Sequence, residues 1–184
     1  MEAETFGDEL VLTLREPIKL GNLEFTDLTL AEPRGEALCL AEREDAMGGL
    51  FTKIARTAGV PPAVAKKMRQ RDLQRAANFF NHFEADDEQF EDELVLTLRE
   101  PIVIDKKSPL AELTLAEPTG ETLQLADREQ GPWAEICALV AGTSGIAIGA
   151  IKKMRQRDLQ RARNFFSHFA GEPSSMPSAT TPQS

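Results

Sequence analysis

The stretch KKMRQRDLQRAANFFNHF, Lys66 to Phe83, returns as KKMRQRDLQRARNFFSHF, Lys152 to Phe169, with Arg163 in place of Ala77 and Ser167 in place of Asn81 as the only differences. Projected at about 100° per residue, Leu73, Ala76, Phe79, Phe80 and Phe83 fall within roughly 120° of arc. Arg71, Gln74, Arg75, Asn78 and His82 take the opposite side. Asp72 would interrupt the apolar arc of a helix running straight through from Lys66, so it reads as the N-cap. Burying each Phe contributes about 1.5 to 3 kcal/mol, enough for this helix to close the core of its unit. Two such helices imply two units.

Repetition extends beyond that helix. ELVLTLREPI, Glu9 to Ile18, is identical to Glu93 to Ile102, and TLAEPRGEALCLAERE, Thr29 to Glu44, matches Thr114 to Glu129. The interval between copies grows by one residue where KLGNLEF becomes VIDKKSPL, and by one more between helices. Single insertions of that kind belong in loops, so the copies are two versions of one fold. The expected boundaries are 1–83 for the first unit, 84–93 for an acidic linker, 94–169 for the second unit and 170–184 for a tail. The tail is rich in Pro, Ser and Thr, a composition that predicts disorder.

Within a unit, Leu10, Leu12 and Leu14 alternate with Val11, Thr13 and Arg15, the period of a half-buried strand. Pro17 removes a donor, which bends the strand or puts it at a sheet edge. Gly21-Asn22 suits a two-residue hairpin turn before a return strand carrying Leu23, Phe25, Leu28 and Leu30. The second unit has the longer Asp105 to Pro109 at that turn. Glu32-Pro33 and Glu117-Pro118 read as helix starts with proline at the first helical position. The helices GEALCLAERE and GETLQLADRE then place Leu38, Leu40, Leu123 and Leu125 on a buried side and end near Gly48-Gly49 and Gly131-Pro132. Leu50 to Ala58 and Pro62 to Met68 supply further helices, answered by Ile136 to Gly142 and Ile146 to Met154. Each unit is thus an α+β module, a β-hairpin followed by three to four helices. At roughly 80 residues it is near the size at which one core holds without staples.

The formal charge of −9 has the wrong sign for phosphate-driven binding of nucleic acid. Acidic residues gather before Glu9 and in Glu84 to Glu93, and basic ones in the two KKMRQRDLQR stretches. No apolar run approaches the ~18 residues of a membrane span. The acidic start MEAETFGDEL lacks the features of a secretion signal, so the expected location is the cytoplasm. Cys39 and Cys137 occupy non-equivalent places in the repeats, which speaks for buried thiols rather than a disulfide or metal site.

Catalytic chemistry finds no foothold. His82 and His168 are one position in two copies, on the polar side of the helix, with no cysteine or serine spaced to complete a dyad. No catalytic residue, cofactor or metal is expected, and no enzymatic activity. Ile54 to Ala76 has the outline of a helix-turn-helix, which makes a DNA-binding regulator the alternative reading. In the second copy Ile146 to Ile151 is almost wholly apolar and offers nothing to base edges.

Several short segments together resemble the phage tail assembly chaperones of long, mostly contractile-tailed phages and Mu-like prophages. They are Leu28-Thr29-Leu30-Ala31-Glu32-Pro33, Thr57 to Pro62, Arg71-Asp72-Leu73 and Phe80 to Phe83, answered by Leu113 to Pro118, Thr143 to Gly145, Arg157-Asp158-Leu159 and Phe166 to Phe169. Members of that family are usually single units, so this chain looks like a tandem duplication. The resemblance implies a non-enzymatic factor of the host bacterial cytoplasm. Its implied partners are the tape-measure protein and the tail-tube protein, with self-association possible and no membrane.

For the partner surface, the approach to the repeated helix stands out: Lys66, Lys67, Arg69, Arg71 and Arg75, with Lys152, Lys153, Arg155, Arg157 and Arg161. Their identity between copies exceeds what a core alone requires.

Overall fold

Alternating side chains make each unit begin as a β-hairpin, closed in the first unit by a glycine turn. In the computed structural model, which describes residues 6–84, 92–104 and 109–169, strand β1 (Glu9–Leu20) pairs antiparallel with β2 (Leu23–Ala31) around Gly21-Asn22, with Gly21 at φ 61°. That left-handed backbone favours glycine. Strands β3 (Glu93–Ile102) and β4 (Leu110–Ala116) pair likewise. Helices follow in the order α1 (Gly35–Ala41), α2 (Ala46–Ala58), α3 (Pro62–Lys66) and α4 (Gln70–Asn81), then a 3-10 turn, His82–Glu84. The second unit answers with α5 (Gly120–Ala126), α6 (Pro132–Ser144), α7 (Ile148–Ile151) and α8 (Gln156–Phe169). Each unit is therefore a β-hairpin followed by four helices. The acidic linker (except for its flanks), the turn at 105–108 and the tail 170–184 lie outside the described residues.

The strand register breaks where proline sits. Pairing runs from Glu9↔Ala31 to Thr13↔Asp27 and resumes at Ile18↔Phe25, so residues 14–17 bulge against a single partner position. A bulge leaves backbone donors to be satisfied elsewhere. The Arg15 N–H donates to the carboxylate of Asp72 at 3.2 Å, and in the second unit Arg99 N–H donates to Asp158 at the same distance. Asp72 is accordingly not the N-cap. Arg69 holds that position, and Asp72 lies in the first turn of α4, 2% exposed and turned to the hairpin. A carboxylate with an unpaired strand amide to accept from is more use there than at the helix end.

Three other expectations are corrected. Neither proline starts a helix: Arg34 and Thr119 are the N-caps of α1 and α5, and residues 32–34 run extended into the second unit instead. Gly48-Gly49 does not end a helix but lies inside α2, whose N-cap Asp45 accepts from Gly48 N–H at 2.7 Å. A Cβ on Gly49 would stand 2.8 Å from the Ala41 carbonyl oxygen, so glycine lets α1 and α2 approach. Gly131-Pro132 likewise opens α6.

The third correction concerns the leucines. Leu38 is fully buried, whereas Leu123 and Leu125 are 50% and 56% exposed. The reason is what lies opposite. One core gathers Leu12, Leu30, Ile54, Phe79, Phe80 and Phe83 from the first unit alone. The other gathers Leu96, Leu115, Ile151, Leu159 and Phe165 of the second unit together with Leu38 and Cys39 from α1 of the first. Helix α1 sits between α2 and α6, while α5 packs on α6.

That asymmetry gives unequal costs to one substitution. Leu38→Ala is expected to destabilise the chain by about 2 to 5 kcal/mol, and Leu123→Ala by less than about 1 kcal/mol, measured by urea unfolding.

Candidate functional site

The seam between the units is built on the extended residues that precede α1. Gly35 N–H donates to the Met154 carbonyl at 3.0 Å, Glu36 N–H to the Lys152 carbonyl at 2.8 Å, and Gln156 N–H to the Pro33 carbonyl at 2.8 Å. Glu32, 4% exposed, accepts from Arg157 N–H at 2.7 Å and so caps α8 from another unit. A carboxylate at a helix N-terminus meets both free donors and the dipole. Gly35 is required by the approach itself, since a Cβ there would lie 2.8 Å from Leu159 Cδ1 and 3.3 Å from Lys152 Cα.

Side chains complete the seam. Arg34 and Arg155 both reach Glu100, at 2.8 and 2.7 Å. Hydrogen bonding from Arg34, with Arg155 beside it, holds the Glu100 carboxyl below the usual range. Arg157 stands 4.6 Å from the Phe83 ring centroid and pairs with Asp8 at 3.1 Å. Glu42 accepts from Trp133 N–H at 2.7 Å at the start of α6, where Gly131 offers no capping side chain, and burial pushes the Glu42 carboxyl up. Half-exposed ion pairs contribute only about 0 to 1 kcal/mol each, so buried Leu38 and the Glu32 cap outweigh them.

The ten basic positions singled out from sequence therefore divide. Arg155 and Arg157 serve the seam, as do the main-chain carbonyls of Lys152 and Lys153, the latter accepting from Arg34 at 3.3 Å. Lys66, Lys67, Arg69 and Arg71 remain exposed, with Lys67 Nζ donating to the Lys19 carbonyl and Arg69 paired with Glu16. Arg75 and Arg161 are half-buried on α4 and α8. Arg34, Glu42 and Glu100 escaped sequence reasoning, and Glu32 reads from the sequence only as the acid beside a helix start. Nothing in their spacing distinguishes them from solvated acids and bases.

Beside the seam each unit carries a groove of its own. In the first it lies between α1, α2 and α4, about 370 Å³, lined by Leu38, Leu50, Lys53, Ala77 and Phe80, with Trp133 as one wall. In the second it lies between α5, α6 and α8, about 340 Å³, lined by Leu123, Ile136, Leu139, Arg163 and Phe166. These are the same positions in the two repeats. Both substitutions that distinguish the repeated helix, Ala77 against Arg163 and Asn81 against Ser167, line these grooves. Acidic residues rim them: Glu44 and Asp45 in one, Glu117 and Glu135 in the other.

Cys39 and Cys137 are free and buried at the seam. Among the described residues, no cluster of His, Cys, Asp and Glu could hold a metal, and no helix is long and apolar enough to cross a membrane. A duplicated α+β module with an apolar groove in each half has the build of a protein-binding module. The family of "Phage tail assembly chaperone proteins, E, or 41 or 14" matches residues 11–85 and again 95–171. The chain belongs to the phage tail assembly chaperone family, as a tandem duplication. No curated protein and no solved structure matches it.

Asp158, which joins α8 to its own hairpin beside the seam, carries a pH signature. Burial, with Glu32 nearby and Arg99 and Arg161 opposing it, pushes its carboxyl from 3.8 to about 6. A carboxyl raised on folding makes the folded state bind more protons, so its contribution to stability falls as pH rises through that window. Asp158→Asn keeps an oxygen for Arg99 N–H. Its stability relative to wild type is expected to rise on the order of 1 to 3 kcal/mol between pH 4 and 7, followed by thermal melts across that range.

Proposed function

We propose that this chaperone is non-enzymatic and holds the tape-measure protein in its two grooves before and during assembly of the tail tube, in the cytoplasm of the host bacterium. The observation that carries the reading is the pair of apolar grooves of similar volume at equivalent positions of both repeats. A long helical rod without its tube exposes apolar stripes, and an amphipathic helix lays such a stripe into an apolar groove with a polar rim. Two grooves on one body raise the effective concentration of the second site once the first is filled. The differences at Ala77 and Arg163 then let the grooves take successive, non-identical segments of one rod. The exposed basic residues Lys66, Lys67 and Arg71 add attraction toward an acidic partner surface, including the tail-tube protein.

Asn81→Trp combined with Ser167→Trp fills both grooves from exposed positions. Co-expressed tape-measure protein should bind this variant about tenfold or more weakly, while the melting curve stays where it was. Glutamates at Val11 and Val95, exposed on the hairpins, should leave binding intact. Full binding by the groove-filled variant would refute the proposal.

A further inference from the structure

The seam is heterologous: it joins one face of the first unit to a different face of the second. Each unit therefore retains one face the chain does not use. On the second unit it is the counterpart of Glu32 to Glu42, namely Glu117 to Asp127. On the first it is the counterpart of Lys152 to Leu159, namely Lys66 to Leu73. We propose that these two faces bind each other between copies of the chain, so that it assembles head to tail. The open face of the second unit adjoins its groove, whose lining includes Glu117, Leu123 and Phe169, so the proposal concerns the chain with its grooves empty.

The open faces keep the machinery of the closed one. Glu117 stands where Glu32 caps α8, and it is exposed; α4, the helix it would cap, has no side-chain cap of its own. Gly120 stands where Gly35 admits the close approach of the other unit, yet a Cβ on Gly120 would meet nothing within 4 Å. Leu123 stands where Leu38 is fully buried and is 50% exposed. Met47, the counterpart of Trp133, is 48% exposed.

The same holds around the arginine. Arg157 is held by Glu32, Asp8 and Phe83. Arg71 is exposed, and the counterparts of those three residues, Glu117, Asp92 and Phe169, are the same residue types. The faces are also opposite in charge, with Lys66, Lys67, Arg69 and Arg71 on one and Glu117, Glu121 and Asp127 on the other.

Two positions depart from the pattern. Thr119 replaces Arg34, which loses the bond to a glutamate at the place of Glu100. Asp127 replaces Glu42 and would face Asp45, the acid that already caps α2. Both changes weaken the contact between copies relative to the seam within one chain, so the association is expected to be concentration-dependent. Trp133 walls the groove of the first unit without filling it, and Met47 of a second copy would leave the groove of the second unit open in the same way. A heterologous contact closes into a ring if its rotation allows and otherwise extends as a spiral.

Sedimentation velocity of the full chain over a concentration series tests this, with two variants at positions exposed in the isolated chain. Gly120→Gln blocks one face, and Arg71→Glu reverses the charge of the other. The wild-type mass should climb beyond that of a dimer with concentration. Each variant alone should stay monomeric where wild type associates, with an unchanged melt. Mixed in equal amounts, the two should form a dimer and stop, because each supplies the face the other lacks. A wild type that stays monomeric throughout, association that survives either substitution, or a mixture that stays monomeric would overturn the proposal.

Discussion

Everything in this molecule's arrangement depends on the start of α8 being capped from the other unit. Pro33 to Glu36 and Lys152 to Gln156 run alongside each other, exchange main-chain hydrogen bonds, and leave Glu32 against the Arg157 N–H. Unsatisfied helix donors are costly to bury, and a buried carboxylate is costly without donors. Each removes the other's penalty. With them come the burial of Leu38 and Cys39 in the second core and the small-residue contact at Gly35. The two repeats are thereby one body with two cores, and the division at residue 83 read from the repeats does not separate all that packs together.

Much of this was legible. Period-two alternation gave the hairpins, with Gly21-Asn22 as the turn of the first, the aromatic arc gave α4 and α8 as core helices, and the span Leu50 to Ala58 gave the end of α2, which Gly59 caps at φ 66°. What could not be read is anything decided by the partner across a contact. Leu38 and Leu123 sit in nearly the same heptapeptide, and no local pattern says that one is buried and the other half-exposed. Arg69 and Arg155 likewise share their neighbours but not their environments. Asp72 misled for a related reason: an acid beside a helix start usually caps it, but here a proline-broken strand presents an amide that needs an acceptor. The grooves were invisible because their linings come from three helices, although the two positions of divergence in the repeated helix marked them.

Duplication has a physical consequence for the role. A single unit offers one groove and two unlike faces; joining two units uses one face of each and holds two grooves at a fixed separation. A fixed spacing of two sites reduces the entropy lost on filling the second once the first is filled. The seam also shapes the first groove, since Leu38 and Trp133 belong to both.

The most direct test of the seam uses the identity of the repeats as its own control. Gln70 and Arg71 have the same flanking residues as Gln156 and Arg157, so their amides exchange at equal rates when unstructured. In dilute solution, hydrogen exchange followed by NMR should find the Gln156 and Arg157 amides protected at least about tenfold more than those of Gln70 and Arg71. Equal protection at the two pairs would contradict the account.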